Sequence, residues 1–238
     1  MEIIRVEKLS KNYKALKALD EVSFSIKEGE LFGLLGFNGA GKTTLIRILS
    51  GLAKKSGGDA VVDGHPLSEI DEIKKIIDIS PQETSVAMNL TVKENLFFFE
   101  SLYGSHDEEY FNKIVDSFSL KEILNKRAKT LSGGWQRRLS IAVALISKPK
   151  ILFLDEPTLG LDVLIRRELW KIIKSLKGET TIVLTSHYLE EIEALCDRVA
   201  ILSSGHLLDI GTVEEIKEHA KVNSFEEAFV KIVGGDIK

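Results

Sequence analysis

The stretch LFGLLGFNGAGKTTLIRILSGL, residues 31–52, most narrows what this chain can fold into. Leu31–Leu35 is an apolar run of strand length with no polar face, as in a parallel sheet covered on both sides. GFNGAGKT, Gly36–Thr43, matches the pattern G-x-x-x-x-G-K-[ST]. The following TLIRILSGL predicts a helix over residues 44–52. Strand, glycine-rich turn and helix together make an anion cradle. Glycines let backbone N–H groups turn toward phosphate oxygens with no Cβ in the way, and the helix N-terminus adds positive potential. Within Gly36, Phe37, Asn38, Gly39, Ala40, Gly41, Lys42, Thr43 and Thr44, Lys42 is placed to reach β- and γ-phosphates. The Thr43 hydroxyl is placed to ligate Mg²⁺, and Thr44 to cap the phosphates beside it.

Three more short apolar runs follow: ILFLD at Ile151–Asp155, TIVLTS at Thr181–Ser186 and VAIL at Val199–Leu202. Ile165, Leu169, Ile172 and Leu176 repeat at helical spacing, as do Trp135, Leu139, Ala142 and Ile146. Strands alternating with helices predict a doubly wound α/β core. IIRVEKL, EVSFSI and GDAVVDG alternate apolar and polar residues instead, which predicts half-exposed antiparallel strands near the N-terminus. The middle, from about Thr84 to Ser147, reads as nearly all helix, with a capping box at Thr91 and Glu94. The expected organisation is one chain of 238 residues with a core in 1–83 and 148–211, a helical insert in 84–147 and a helical tail in 212–238. The tail helices start at the capping boxes Thr212…Glu215 and Ser224…Glu227.

Asp155 closes its apolar run, at the carboxyl edge where open α/β sheets bind ligands, and there it would hold the Mg²⁺ shell. Glu156, next to it, is the expected general base that polarises an attacking water.

The formal net charge of −4 supplies no global basic field, so nucleic acid is not an expected partner. A single Cys196 excludes an internal disulfide and fits a reducing compartment. The N-terminus does not read as a signal peptide, and no run approaches the roughly 18 apolar residues of a membrane helix. A cytoplasmic protein is expected, with any membrane association made through a partner.

A second glycine-opened helix, LSGGWQ at Leu131–Gln136, lies ahead of ILFLDE. Ser132, Gly133 and Gly134 form an anion-accepting helix mouth in a chain that already has one. In this combination the sequence resembles the ATP-binding cassette family. GFNGAGKTT resembles its Walker A, ILFLDE its Walker B and LSGGWQ its signature motif, in family order along nearly the whole chain. The signature normally has glutamine at its fifth position; here Trp135 stands there. The resemblance implies a P-loop NTPase core, mostly parallel, with an antiparallel β subdomain and an inserted α-helical subdomain. It implies ATP and Mg²⁺ as cofactors. It also implies a head-to-tail dimer with the same chain or a sister, in which each ATP lies between the P-loop of one cassette and the signature of the other.

Further residues carry over singly. Tyr13 resembles the aromatic that stacks on adenine, and Gln82 the Q-loop glutamine that contacts Mg²⁺. Asp162 in PTLGLD resembles the D-loop aspartate, and His187 in VLTSH the switch histidine. The expected function is the ATPase subunit of a transporter, driving a permease on a separate chain from the inner face of the membrane, with export suggested by the wording LGLD and the tail SFEEAFVKI. The alternative is a cassette ATPase without a permease, such as the iron–sulfur cluster assembly type. Nucleic-acid cassettes fit less well, because the Lys42-to-Asp155 interval is too short for a long coiled-coil insert.

Overall fold

A computed structural model describes residues 1–104 and 106–234; residues 235–238 of the expected tail lie outside the described residues. The chain opens with β1 (Glu2–Tyr13), β2 (Leu16–Lys27), β3 (Leu31–Leu35) and α1 (Lys42–Leu49). β4 (Gly57–Val62), β5 (His65–Pro66), α2 (Ile70–Ile73) and β6 (Ile77–Ser80) follow. The helix-rich region holds α3 (Val92–Ser101), α4 (Glu108–Ser117) and α5 (Gly133–Leu145). The chain then returns through β7 (Ile151–Asp155), α6 (Val163–Ser175), β8 (Thr181–Ser186), α7 (Leu189–Leu195) and β9 (Arg198–Ser203). It finishes with β10 (His206–Gly211), α8 (Val213–Ala220) and α9 (Phe225–Gly234).

Two sheets result. The alternating N-terminal strands pair antiparallel in the order β2-β1-β4-β5, and the apolar runs form the central strands of β10-β9-β3-β8-β7-β6. In the second sheet only the β10–β9 pair is antiparallel. β3, β7 and β8 are buried at every residue, because the sheet is covered on both faces. Phe32, Phe153 and Val183 point into a core shared with α1 and the antiparallel sheet. Leu31, Leu154 and Leu184 point the other way, into a core shared with α3, α4, α5 and α6. The helical insert is thus packed into the same apolar mass as the strands.

Two expectations change in detail. α1 starts at Lys42 rather than Thr44, since Gly41 takes the cap position at φ +105°, and the turn at Gly51, φ +74°, ends it early. Residues 118–132 are not helical apart from two three-residue 3₁₀ turns, Lys121–Ile123 and Ala128–Thr130. Their backbone groups find partners across the chain instead. Lys126 and Leu124 carbonyls accept from Val92 and Lys93, and the Ala128 N–H donates to the Leu90 carbonyl. The capping boxes at Thr91–Glu94 and Thr212–Glu215 form with both reciprocal hydrogen bonds, and Ser224 Oγ accepts from the Glu227 N–H at 3.2 Å.

The tail is part of the core. Phe225, Ala228 and Phe229 of α9 pack with Leu35 of β3 and Ile201 of β9. Phe225→Ala is expected to lower the unfolding free energy by about 3–5 kcal/mol, the usual loss for a large buried aromatic. Urea unfolding followed by circular dichroism measures it, and a loss under about 1 kcal/mol would show that the tail does not share the core.

Candidate active site

The carboxyl ends of β3, β7 and β8 converge on a cleft of about 620 Å³. The loop Gly36–Gly41 forms its floor, wedged between the β9–β10 turn and β2. A Cβ on Gly36 would lie 2.3 Å from the Leu202 carbonyl oxygen, and one on Gly41 would lie 2.6 Å from that of Ala18. These two glycines are therefore required by close backbone approach. The Gly205 N–H donates to the Ala40 carbonyl at 3.1 Å, bracing the loop from the side.

Lys42 is 6% exposed. Its Nζ donates to the Gly36 carbonyl at 2.6 Å and lies 3.3 Å from Glu156 Oε1. The Thr43 hydroxyl donates to both carboxylate oxygens of Asp155, at 3.2 and 3.1 Å. Asp155 ends β7, and its partner in register is Thr185 of β8. The Thr185 hydroxyl donates to Asp155 Oδ1 at 2.6 Å and accepts the Glu156 N–H at 2.9 Å. One threonine thus orients both acidic residues.

Glu156 is 6% exposed and has φ +48°, in the left-handed region that costs a non-glycine residue roughly 1–2 kcal/mol. Its carboxylate is held between Lys42 and His187, whose Nδ1 lies 2.8 Å from Oε2. His187 follows β8 directly, one strand over from Asp155. Gln82 follows β6 and lines the cleft, as does Tyr13 at the end of β1.

Two groups of expected residues stand apart. Ser132, Gly133, Gly134 and Asp162 do not line this cleft. Ser132 and Gly133 are exposed at the N-terminus of α5, and the Ser132 hydroxyl does not cap that helix. Asp162 is exposed and caps α6, accepting from the Leu164 and Ile165 N–H groups at 3.1 and 3.0 Å. Trp135 packs on the apolar core, with the Arg138 guanidinium 4.6 Å from its ring centre.

Sequence reasoning missed Thr185, Phe229 and Glu191. Thr185 carried a faint signal, a hydroxyl inside an apolar strand. Phe37 of the loop packs edge-on against Phe229 of α9, with ring centres 5.3 Å apart, and no local pattern announces that contact. Glu191 of α7 is fully buried and accepts from the Thr158 hydroxyl at 2.8 Å and the Trp170 indole N–H at 2.9 Å.

The ABC transporter family model matches residues 19–159. The chain belongs to the ABC transporter family. The linearmycin resistance ATP-binding protein LnrL of Bacillus subtilis (strain 168) is 39% identical over 220 residues, which is 90% of this chain and 70% of LnrL. The probable multidrug ABC transporter ATP-binding protein YbhF of Escherichia coli (strain K12) is 36% identical over 242 residues. The chain spans only 42% of the length of YbhF. A solved ATP-binding subunit of an ABC transporter superposes with a TM-score of 0.87 at 28% identity, covering 97% of this chain and 99% of that one. A dimeric post-hydrolysis cassette, MJ0796 with ADP and Pi, superposes with a TM-score of 0.77 at 26% identity over 88% of this chain and 98% of that one. The protein is an ABC ATPase cassette with the P-loop NTPase fold, the fold class expected from the sequence.

Lys42→Ala is expected to weaken ATP binding by tenfold or more, because it removes the buried ammonium of the cradle. Isothermal titration measures it, and unchanged affinity would count against the cradle. Burial pushes the Glu191 carboxyl above the ordinary glutamate range, and the nearby Glu156 carboxylate acts in the same direction. The native state therefore binds this proton more tightly than the unfolded chain. Its stabilising effect is full below the ordinary glutamate value and is lost as pH rises through the raised native value. Glu191→Gln is expected to remove that slope and to melt above the parent at neutral pH. Melting curves at roughly pH 5 to 8 test this; a constant difference between the two proteins would refute it.

Proposed function

We propose that this chain is the ATP-hydrolysing subunit of an export system, and that it works as one half of a dimer. The observation that carries this reading is the division of its anion-binding loops. One cleft gathers the P-loop, Glu156, Gln82 and His187, with Asp155 held at its edge by the Thr43 hydroxyl, while Ser132 and Gly133 of the second helix mouth stand exposed outside it. A helix N-terminus with two glycines and an uncommitted serine hydroxyl suits a phosphate brought by another molecule. The natural donor of that phosphate is a second cassette, the same chain or a sister, whose P-loop holds the triphosphate. The exposed Val163 and Leu164 beside Asp162 suit burial against that partner.

Within the cleft, Lys42 and the loop N–H groups hold the triphosphate, with Tyr13 as the platform for the adenine. The Thr43 hydroxyl and the Asp155 carboxylate are adjacent oxygen donors, with Gln82 across the cleft, and this donor set fits Mg²⁺. Bound there, the ion would neutralise charge on the β- and γ-phosphate oxygens. Glu156 accepts the proton of the attacking water. The water oxygen bonds to the γ-phosphorus as its bond to the β–γ bridging oxygen breaks, releasing ADP and inorganic phosphate. His187 holds the Glu156 carboxylate in place and faces the γ-phosphate side. ATP gripped by two chains favours a closed pair, and its cleavage removes those contacts, so the pair opens.

No helix among the described residues is long and apolar enough to cross a membrane. The route across it would come from an integral permease on a separate chain, with this cassette bound at the inner face. Met88, Phe98 and Leu102 of the helical region are exposed apolar side chains suited to docking it. Export is supported by the relatives, which are named for linearmycin resistance and multidrug transport.

Glu156→Gln is expected to keep ATP affinity, to lose about 10²-fold or more in turnover, and to accumulate as an ATP-dependent dimer. Phosphate release and analytical ultracentrifugation with and without ATP measure both effects. Parent-level turnover would remove Glu156 as the base, and a monomer at saturating ATP would remove the shared-site reading.

A further inference from the structure

Arg137, on the first turns of α5, is a charged residue only 5% exposed, and among the described residues no carboxylate pairs with it directly. Its guanidinium donates instead to three backbone carbonyls. Nε reaches Pro157 at 2.8 Å, Nη2 reaches Asp155 at 3.0 Å, and Nη1 reaches Pro81. Those carbonyls belong to the two segments that carry the chemistry of the cleft. Asp155 and Pro157 flank Glu156 on the connection from β7 to α6, and Pro81 precedes Gln82. Burying a guanidinium without a paired anion is costly, and main-chain hydrogen bonds offset only part of that. Burial accordingly lowers its pKa to about 10, although Asp155 and Glu191 act in the opposite direction; it stays protonated at neutral pH.

α5 is also fastened to α6. A Cβ on Gly134 would lie 2.7 Å from Ile165 Cγ2, so the two helices touch at the signature itself. Arg138 pairs with Glu168 of α6 while covering Trp135. The helix mouth Ser132–Gly134 therefore belongs to one block with α6, and Arg137 is the link from that block to the backbone beside Glu156 and Gln82.

We propose that Arg137 is a positioning residue that couples the two half-sites of one chain. It ties the signature helix, which serves the partner's nucleotide, to the strand end and glutamine segment that sense the chain's own nucleotide. The inference rests on the shared-site reading above. A planar fork suits this task, because it holds three carbonyls in fixed relative positions. Glutamine has two donors and no charge. Lysine keeps the charge and three donors but not the fork.

The test uses the full chain with Arg137→Gln and Arg137→Lys, each alone and combined with Glu156→Gln. A fluorescent ATP analogue reports affinity of the monomer, ultracentrifugation the ATP-driven dimer, steady-state kinetics kcat and the Hill coefficient, and melting curves stability. Arg137→Gln is expected to keep nucleotide affinity within about threefold while kcat falls and ATP-driven dimerisation weakens, each by about tenfold. The Hill coefficient is expected to fall toward 1, and Arg137→Lys to recover part of each loss. Parent-like kcat, cooperativity and dimerisation in Arg137→Gln would overturn the proposal. So would losses of nucleotide affinity and stability in parallel with kcat, without recovery in Arg137→Lys, since those mark a purely structural residue. Failure of Glu156→Gln alone to dimerise with ATP would instead overturn the shared-site reading, and the coupling role with it. A dimer in Glu156→Gln that persists undiminished in the double variant would overturn the role of Arg137 only.

Discussion

The contact between the Thr43 hydroxyl and the Asp155 carboxylate joins two turns 112 residues apart, and the geometry of the cleft depends on it. One partner opens α1 and the other closes β7, so the contact sets the phosphate loop against the acidic end of the sheet. It is available only because β3, β8 and β7 lie side by side in parallel, with all three carboxyl ends at one edge. The apolar runs that make those strands also make them indifferent to solvent, since both faces are covered. Burial of hydrocarbon in the strands is what brings two polar groups from distant parts of the chain within 3.2 Å.

Around that contact the chain tolerates features that are unfavourable in isolation. Glu156 is buried, charged and in a left-handed backbone conformation. Lys42 is as deeply buried and returns to the carbonyls of its own loop. Each offsets the other in part, and Thr185 and His187 supply the remaining hydrogen bonds. A strained, buried carboxylate held on all sides is pre-organised, which suits the role of base proposed for it.

The inserted helical region shares its apolar core with the sheet. Its apolar side chains share one cluster with Leu152, Leu154, Ile182 and Leu184 of the sheet. α5 is the shared element, buried from Gly134 to Leu145 apart from the partly exposed Trp135 and Gln136. Arg137 links this helix to the backbone at the sheet edge, which supports the positioning role proposed for it. The C-terminal helix has a parallel relation to the phosphate loop, with Leu35 beneath it and Phe37 against Phe229.

Much of this was legible in the residues. The apolar runs, the glycine spacing and the carboxylate at the end of ILFLD each have a local cause, so strand, cradle and acidic edge could be named from the sequence alone. Both complete capping boxes formed as read, because their hydrogen bonds span three residues and need no distant partner. The extent of helix in residues 118–132 was not legible, since those backbone groups find partners in the segment before α3 and at its first turn. Nor were Thr185, Glu191, Arg137 and Phe229, whose roles depend on what packs beside them. Short-range periodicity and hydrogen bonding determined which elements exist and which residues are candidates for the chemistry. Only the tertiary structure decided which of them meet, because contacts between distant segments arise from the burial of surfaces that no local pattern records.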